Sequence, residues 1–161
     1  MAFTVPPEAR HALKPLPDGV PVPPAAYLPG QREDPQRDWI LPINASVSSE
    51  TDLQDLPKTQ AWIAGRAYLQ AGYFWECHEV LEAVWTRTPE GSAERDMVQA
   101  LIQLANARMK HRLDRPRAAA RLCAMVRAQL ARCPSDRQVL GLTLSQVRAW
   151  VSETESALKI R

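Results

Sequence analysis

The chain has 161 residues, of which 45 % are apolar and 24 % are charged, and its formal net charge is +2. This is the size of one ordinary domain, and the composition excludes the disordered, collagen-like and disulfide-scaffold classes of protein. The small net charge gives no argument for a nucleic-acid partner. We therefore expect no specific nucleic-acid binding. We also expect the protein to be a monomer or a homodimer.

The first 52 residues form an extended, proline-rich arm in our interpretation. Ten of the fourteen prolines precede residue 43, and proline removes the backbone donor that a helix needs. Tyr27, Trp39 and Ile40 offer apolar anchors, so we expect the arm, residues 1–52, to pack on an all-helical domain, residues 53–161. The chain start lacks a leader pattern, and no run approaches the about 18 apolar residues of a membrane span. These features predict a cytoplasmic protein without a membrane partner.

Two helices are predicted directly after the arm. The first covers about residues 56–70, because Trp62, Leu69 and Tyr73 recur at helical spacing, and Gly72 is placed to end it. The second covers about residues 74–86 and stops before Pro89.

Three further helices are predicted from their capping residues. Ser92 caps the third helix, and Asp114 caps the fourth, which carries Pro116 in its first turn. Thr143 and Gln146 form a capping box at the start of the fifth. Because no segment alternates with period two, the sequence predicts an all-α fold, a compact bundle of about five helices in antiparallel hairpins.

The second predicted helix carries the most informative segment of the chain. His78 lies only about 40° around the helix from Phe74, so an apolar stripe contains a histidine. Glu82 follows one turn later, about 6 Å along the axis, and Trp85 follows Glu82. This spacing predicts a buried polar site formed by His78, Glu82 and Trp85.

The segment resembles a known family, the proteins grouped as domain of unknown function family 309. Their hallmark is a helix of the form His-x-x-x-Glu-x-x-Trp, which falls here on His78, Glu82 and Trp85. The resemblance extends to the segment 98–104, where Gln99 matches the family's glutamine, and to the arm at residues 23–30. It implies a compact helical domain whose biochemistry is not established, to which hydrolase labels are sometimes attached because of the motif.

A structural or small-ligand-binding module is the first interpretation of this site. Gln99, Gln103 and Asn106 form a polar flank on the third helix that can face His78 and Glu82. The imidazole would then be satisfied by Glu82 and by Gln99 or a backbone carbonyl. The candidate ligand-binding residues are His78, Glu82, Trp85, Gln99 and Gln103.

A metal-dependent hydrolase is the alternative, with metal-free acid–base chemistry as a variant of it. Here His78 and Glu82 would bind a divalent metal and Glu79 would act as the catalytic base, as in half of a metalloprotease helix. Zinc usually takes three protein ligands, and the candidates for the third are Glu79, His111, Asp34 and Cys77. Whether the cofactor is a divalent metal stays open at this point.

The remaining polar and sulfur-containing residues have simpler interpretations. The three cysteines, Cys77, Cys123 and Cys133, are expected to be reduced and to pack as small core residues. Eight basic residues between positions 108 and 132 oppose a single acid, Asp114. We interpret them as a basic face that is solvated and binds polyanions weakly at most.

Overall fold

The structure is a computed structural model that describes residues 12–30 and 36–159. Five long helices carry the fold: α1 (Gln60–Ala71), α2 (Phe74–Trp85), α3 (Ala93–Arg112), α4 (Pro116–Leu130) and α5 (Leu144–Leu158). Shorter helical turns precede them at Asp38–Ile40, Leu41–Asn44 and Leu53–Lys58. The described residues contain no β-strand, only an isolated bridge between Val139 and Leu142. The predicted all-α fold is confirmed.

Local capping signals set most of the helix ends. Gly72 follows α1 with a φ of 102°, a left-handed conformation that favours glycine. The Ser92 hydroxyl accepts a hydrogen bond from the Arg95 amide at the start of α3. At α5, Thr143 and Gln146 form the predicted capping box. These three predictions are confirmed.

Two helix starts differ from the prediction. The region before α1 is a separate 3₁₀ turn, Leu53–Lys58, which contains Pro57, and the α-helix begins only after the extended residue Thr59. Proline disfavours helical geometry in the preceding residue and lacks a donor, so the α-helical ladder does not pass through this position. The predicted cap at Asp114 is wrong, since this residue has a φ of 58° and Arg115 occupies the N-cap position.

The core forms where consecutive helices pack on one another, α1 on α2, α2 on α3, α3 on α4 and α4 on α5. Gly65 marks the closest approach of α1 and α2, because a Cβ atom there would lie 2.3 Å from Leu81 Cδ2. The fully buried Trp62 donates its indole N–H to the Leu140 carbonyl at 3.0 Å, which fixes the loop between α4 and α5 on α1. The short connections favour antiparallel neighbours.

Part of the proline-rich segment is described, and it lies against α1 and α2. The Lys14 amide donates to the Ala71 carbonyl at 2.9 Å, and the Tyr68 hydroxyl donates to the Pro21 carbonyl at 2.6 Å. The Tyr27 amide donates to Glu76 Oε2 at 2.9 Å. Residues 1–11 and 31–35 of the predicted arm lie outside the described residues, so the division at residue 52 stays a prediction.

No helix in the described part of the chain is a candidate for a membrane span. None of the helices there combines the length and the apolar character that crossing a bilayer requires.

Candidate functional site

The imidazole of His78 connects α2 to α3. Its Nε2 lies 2.8 Å from Glu82 Oε1, one turn further along α2, and its Nδ1 lies 3.0 Å from Asn106 Oδ1 on α3. The Asn106 amide nitrogen in turn donates to Gln103 Oε1 at 3.2 Å, which orients the amide oxygen toward His78. The ring therefore lies between a carboxylate on its own helix and an amide on the next one.

The contact with Glu82 and the polar flank of α3 were predictable from the sequence. Which residue of α3 bonds to His78 was not. In the described residues no hydrogen bond joins Gln99 to His78, and Asn106 takes the position proposed for Gln99. Gln103 belongs to the network only through Asn106. The four residues His78, Glu82, Asn106 and Gln103 are called the histidine network below.

The prediction that this site is buried is wrong. The side chain of His78 is 29 % exposed and that of Glu82 is 58 % exposed. α2 packs its apolar stripe on α1 and α3, and Glu82 lies at the edge of that stripe, where its carboxylate remains hydrated. An exposed pair one turn apart on a helix contributes only about 0.3 to 0.5 kcal/mol, so the bond between His78 and Glu82 does not by itself hold the fold together.

Trp85 is half-buried at the end of α2. The guanidinium group of Arg95 lies over its indole ring, 3.8 Å from the ring centroid. This cation–π contact joins the end of α2 to the first turn of α3. The ring face that a ligand would stack on is therefore covered by Arg95 on that side.

A metal centre is not supported by the donor set of the described residues, which contain no group of three histidine, cysteine or acidic side chains placed to hold a metal ion. Glu79, the candidate base, forms an ion pair with Arg37 at 3.0 Å. Cys77 is fully buried, and His111 lines a different pocket. Asp34, the other candidate for a third ligand, lies outside the described residues.

The cysteines are buried and unpaired, as predicted. Burial raises the pKa of each thiol above its ordinary value, which keeps the reactive thiolate form scarce at neutral pH. They are core residues rather than nucleophiles.

Glu76 is a buried acid that no sequence pattern singled out. Its side chain is 1 % exposed, Oε2 accepts the bond from the Tyr27 amide, and Oε1 is buried without a hydrogen-bond partner. Burial raises the pKa of this carboxyl to about 7, against the opposing effects of the Tyr27 amide and of the Arg112 charge. Groups kept in such a state are enriched at functional sites, so Glu76 is a candidate despite the absence of any motif.

A pocket of about 340 Å³ opens at the C-terminal end of α1, and we call it the α1-end pocket. It is lined by residues 12 and 14 of the proline-rich segment, residues 69–72 and Phe74, residues 108, 111 and 112 of α3, and residues 153, 154 and 157 of α5. None of the ligand-binding residues proposed from the sequence lines it. The two side chains that set its chemistry are Arg108 and Arg112.

The predicted basic face is not uniformly solvated, because some of its members are half-buried or paired with carboxylates. Arg108 and Arg112 are half-buried at the α1-end pocket. Arg127 forms an ion pair with Glu155 of α5, and Arg132 forms one with Asp96 of α3 at 3.2 Å.

The comparisons with known proteins agree with the motif. The family model described as "Domain of unknown function (DUF309)" matches residues 62–122, from α1 into α4, a segment that contains His78, Glu82, Trp85 and Asn106. No curated protein and no solved structure matches the chain. The description of the family assigns no activity. The resemblance of the motif to the DUF309 family is therefore confirmed over residues 62–122.

Proposed function

We propose that this domain is a non-catalytic module that binds a small molecule, and that the ligand occupies the α1-end pocket rather than the histidine network. The observation that supports this most directly is the pocket itself. At about 340 Å³ it lies in the size range of small-molecule sites, and it combines an apolar wall with a few polar groups. The histidine network then has a structural task, which is to fix α2 on α3.

The location of the pocket supports a binding module because separate parts of the chain build it. The end of α1, the last two turns of α3, the last turns of α5 and the proline-rich segment all contribute side chains. The Lys14 amide fixes its segment on α1 through the Ala71 carbonyl. In this proposal residues 12 and 14 of the arm complete the binding site of the helical domain.

The metal-dependent hydrolase has less support. It would use His78 and Glu82 as ligands and Glu79 as the base, yet both nitrogens of His78 already face oxygen acceptors, and Glu79 is paired with Arg37. The described residues place no third ligand beside the pair. We therefore derive no catalytic step through a metal.

The binding module is tested by filling the pocket without changing its charge. Ala157 lines the pocket from α5, and Ala157→Phe puts an aromatic ring into the ligand volume. Fragments that bind the full chain in an NMR screen are expected to shift the amide signals of Leu69, Gly72 and Phe74. In Ala157→Phe their affinity should fall about tenfold or more, because a filled pocket excludes the ligand from its contacts.

Two controls accompany this measurement. Ala128→Phe makes the same change on an exposed position of α4 and should leave the affinity unchanged. His78→Ala should also leave it unchanged, because His78 does not line the pocket. Fragments that shift the signals of His78 and Glu82 and lose their affinity in His78→Ala would contradict the proposal. Zinc-dependent hydrolysis that disappears in His78→Ala and Glu79→Gln would favour the hydrolase.

A further inference from the structure

We infer that the ligand of the α1-end pocket is a small organic acid, with one carboxylate on an apolar body. This inference rests on the proposed function, because it names the chemical class of the ligand in the same pocket. It is carried by the state of two arginines, Arg108 and Arg112, and by the apolar wall beside them.

Arg108 is a half-buried cation whose hydrogen-bond acceptors are all neutral. Its Nε donates to Thr154 Oγ1 at 3.0 Å, and its two Nη atoms donate to the carbonyls of Leu69 and Trp150, at 3.1 and 3.3 Å. A guanidinium group has five N–H donors, so these bonds leave two. No described carboxylate lies within ion-pair distance of it. Its positive charge is therefore solvated only in part.

Arg112 lies one turn further along α3 in a similar state. Its Nη1 donates to the Gly72 carbonyl at 2.6 Å, and its Nε is buried without an acceptor among the described residues. The guanidinium group lies 4.3 Å from the centroid of the Phe74 ring, which also lines the pocket. Burial lowers the pKa of both arginines, while Glu153 acts on Arg108 and Glu76 acts on Arg112 in the opposite direction. The charged form is thus held in a poorly hydrated place.

A structural role at the end of α1 explains only part of this arrangement. Arg108 and Arg112 donate to carbonyls at the C-terminus of α1, where the helix dipole places about half a negative charge. Two full positive charges exceed that partial charge. Lys14 adds a further cation to the lining, and Glu153 is the one carboxylate among the described lining residues. The pocket consequently retains a positive charge that an anionic ligand would neutralise.

The wall of the pocket selects an organic acid over a bare inorganic anion. Leu69, Ala71, Phe74 and Ala157 give it an apolar surface next to the two guanidinium groups. An inorganic anion would leave this apolar surface exposed to water. The alkyl or aryl body of an organic acid would cover it, and burying apolar surface is favourable. An arginine fork matches the two oxygens of a carboxylate. Charge and wall together define an amphipathic monoanion.

The inference is tested by NMR titration of the full chain with hexanoate, hexanol and inorganic phosphate. Hexanoate is expected to bind at least about tenfold more tightly than hexanol, because hydrogen bonds to charged groups are the stronger ones. Phosphate should bind more weakly than hexanoate. Arg112→Gln retains a donor for the Gly72 carbonyl and should lower the hexanoate affinity about tenfold or more while leaving hexanol binding nearly unchanged.

Matched variants keep the result interpretable. Arg121→Gln removes the same charge from an exposed position of α4 and should change the hexanoate affinity less than about twofold, since distant surface charges are screened by salt. If Arg112→Gln does not fold, Lys14→Gln at the exposed rim replaces it, and there the expected loss of hexanoate affinity is about twofold to threefold.

The outcomes distinguish the organic acid, as the class of ligand, from the binding module itself. Hexanol that binds in the pocket as tightly as hexanoate would overturn the organic acid and leave the binding module standing. Phosphate that binds as tightly as hexanoate would also overturn it, because charge alone would then suffice. If none of the three compounds shifts the signals of Gly72 and Phe74, and the fragment screen finds no other ligand there, the binding module fails as well.

Discussion

Replacing Glu76 by glutamine is expected to raise the free energy of unfolding at pH 8 by about 3 kcal/mol. Burial raises the pKa of this carboxyl from 4.5 to about 7, with Glu79 acting in the same direction and the Tyr27 amide and Arg112 acting against it. The native chain must therefore bury a charge above pH 7, and each pH unit by which the folded pKa exceeds the unfolded one costs about 1.4 kcal/mol. Glutamine keeps an acceptor for the Tyr27 amide and carries no charge.

The pH dependence gives the sharper form of this prediction. Between about pH 4.5 and 7 the folded chain retains a proton on Glu76 that the unfolded chain has released, so the contribution of Glu76 to stability is fully present below pH 4.5 and is lost as the pH rises through 7. The difference between Glu76→Gln and the natural chain should be near zero at pH 4 and reach its full size at pH 8. Urea denaturation at a series of pH values measures it.

Two further variants separate charge from hydrogen bonding. Glu90→Gln removes a carboxylate from an exposed turn and should show no such pH-dependent gain. Glu76→Leu removes the charge but leaves the Tyr27 amide without its acceptor, so it should be less stable than Glu76→Gln by about 1 kcal/mol or more. If Glu76→Gln is instead the less stable chain at pH 8, Arg112 stabilises the ionised carboxylate by more than its burial costs.

Glu76 was missed because its burial is produced by residues far away in the sequence. It lies about 200° around α2 from Phe74, on the side that the apolar periodicity assigns to solvent. The acceptor contact comes from Tyr27, 49 positions earlier, in a segment that local patterns describe only as extended. Helical periodicity reports which face of a helix is apolar, and it cannot report what else covers the opposite face.

The helices themselves were predictable because their signals are local. Gly72, Ser92 and the Thr143–Gln146 pair act within about one turn of the helix ends that they define. Asp114 shows the limit of such signals, since a residue type that favours N-caps also tolerates the left-handed conformation that it adopts here.

The histidine network was predictable on one helix and not across two. The bond from His78 to Glu82 follows from spacing alone, whereas the partner on α3 depends on how far the two helices slide along each other. Gln99 and Asn106 share a flank of α3 and lie about 10 Å apart along its axis, so a shift of two turns exchanges them. The burial of Arg108 and Arg112 likewise depends on the packing of α1, α3 and α5, and the sequence shows only their charge.

Removing the His78 side chain is expected to lower the free energy of unfolding by about 1 to 2 kcal/mol. The loss comes from the hydrogen bond to Asn106 and from the packing of a ring that is 29 % exposed, with little from the exposed Glu82. Glu82→Ala alone should therefore cost about 0.5 kcal/mol or less. Urea denaturation of the single variants measures both values.

Double-mutant cycles show which bond of His78 couples the helices. The cycle of His78→Ala with Asn106→Ala should give a coupling energy of about 1 kcal/mol, because the two residues join α2 to α3 in a half-buried place. The cycle of His78→Ala with Glu82→Ala should give about 0.3 to 0.5 kcal/mol, the value of an exposed pair on one helix. The cycles also cancel the change in helix propensity that each alanine brings.

If His78 and Glu82 were instead a functional pair, replacing them would not lower the stability of the fold. Groups selected for binding or catalysis are retained at a cost in stability, so the His78→Leu, Glu82→Met double variant would then be at least as stable as the natural chain while losing its ligand. Near-stoichiometric zinc or manganese in the untagged protein, absent from both His78→Ala and Glu82→Ala, would establish that outcome. The structural role instead requires the coupling to be larger across the helix interface, at Asn106, than along α2, at Glu82, because only the contact with Asn106 changes how the two helices are held together.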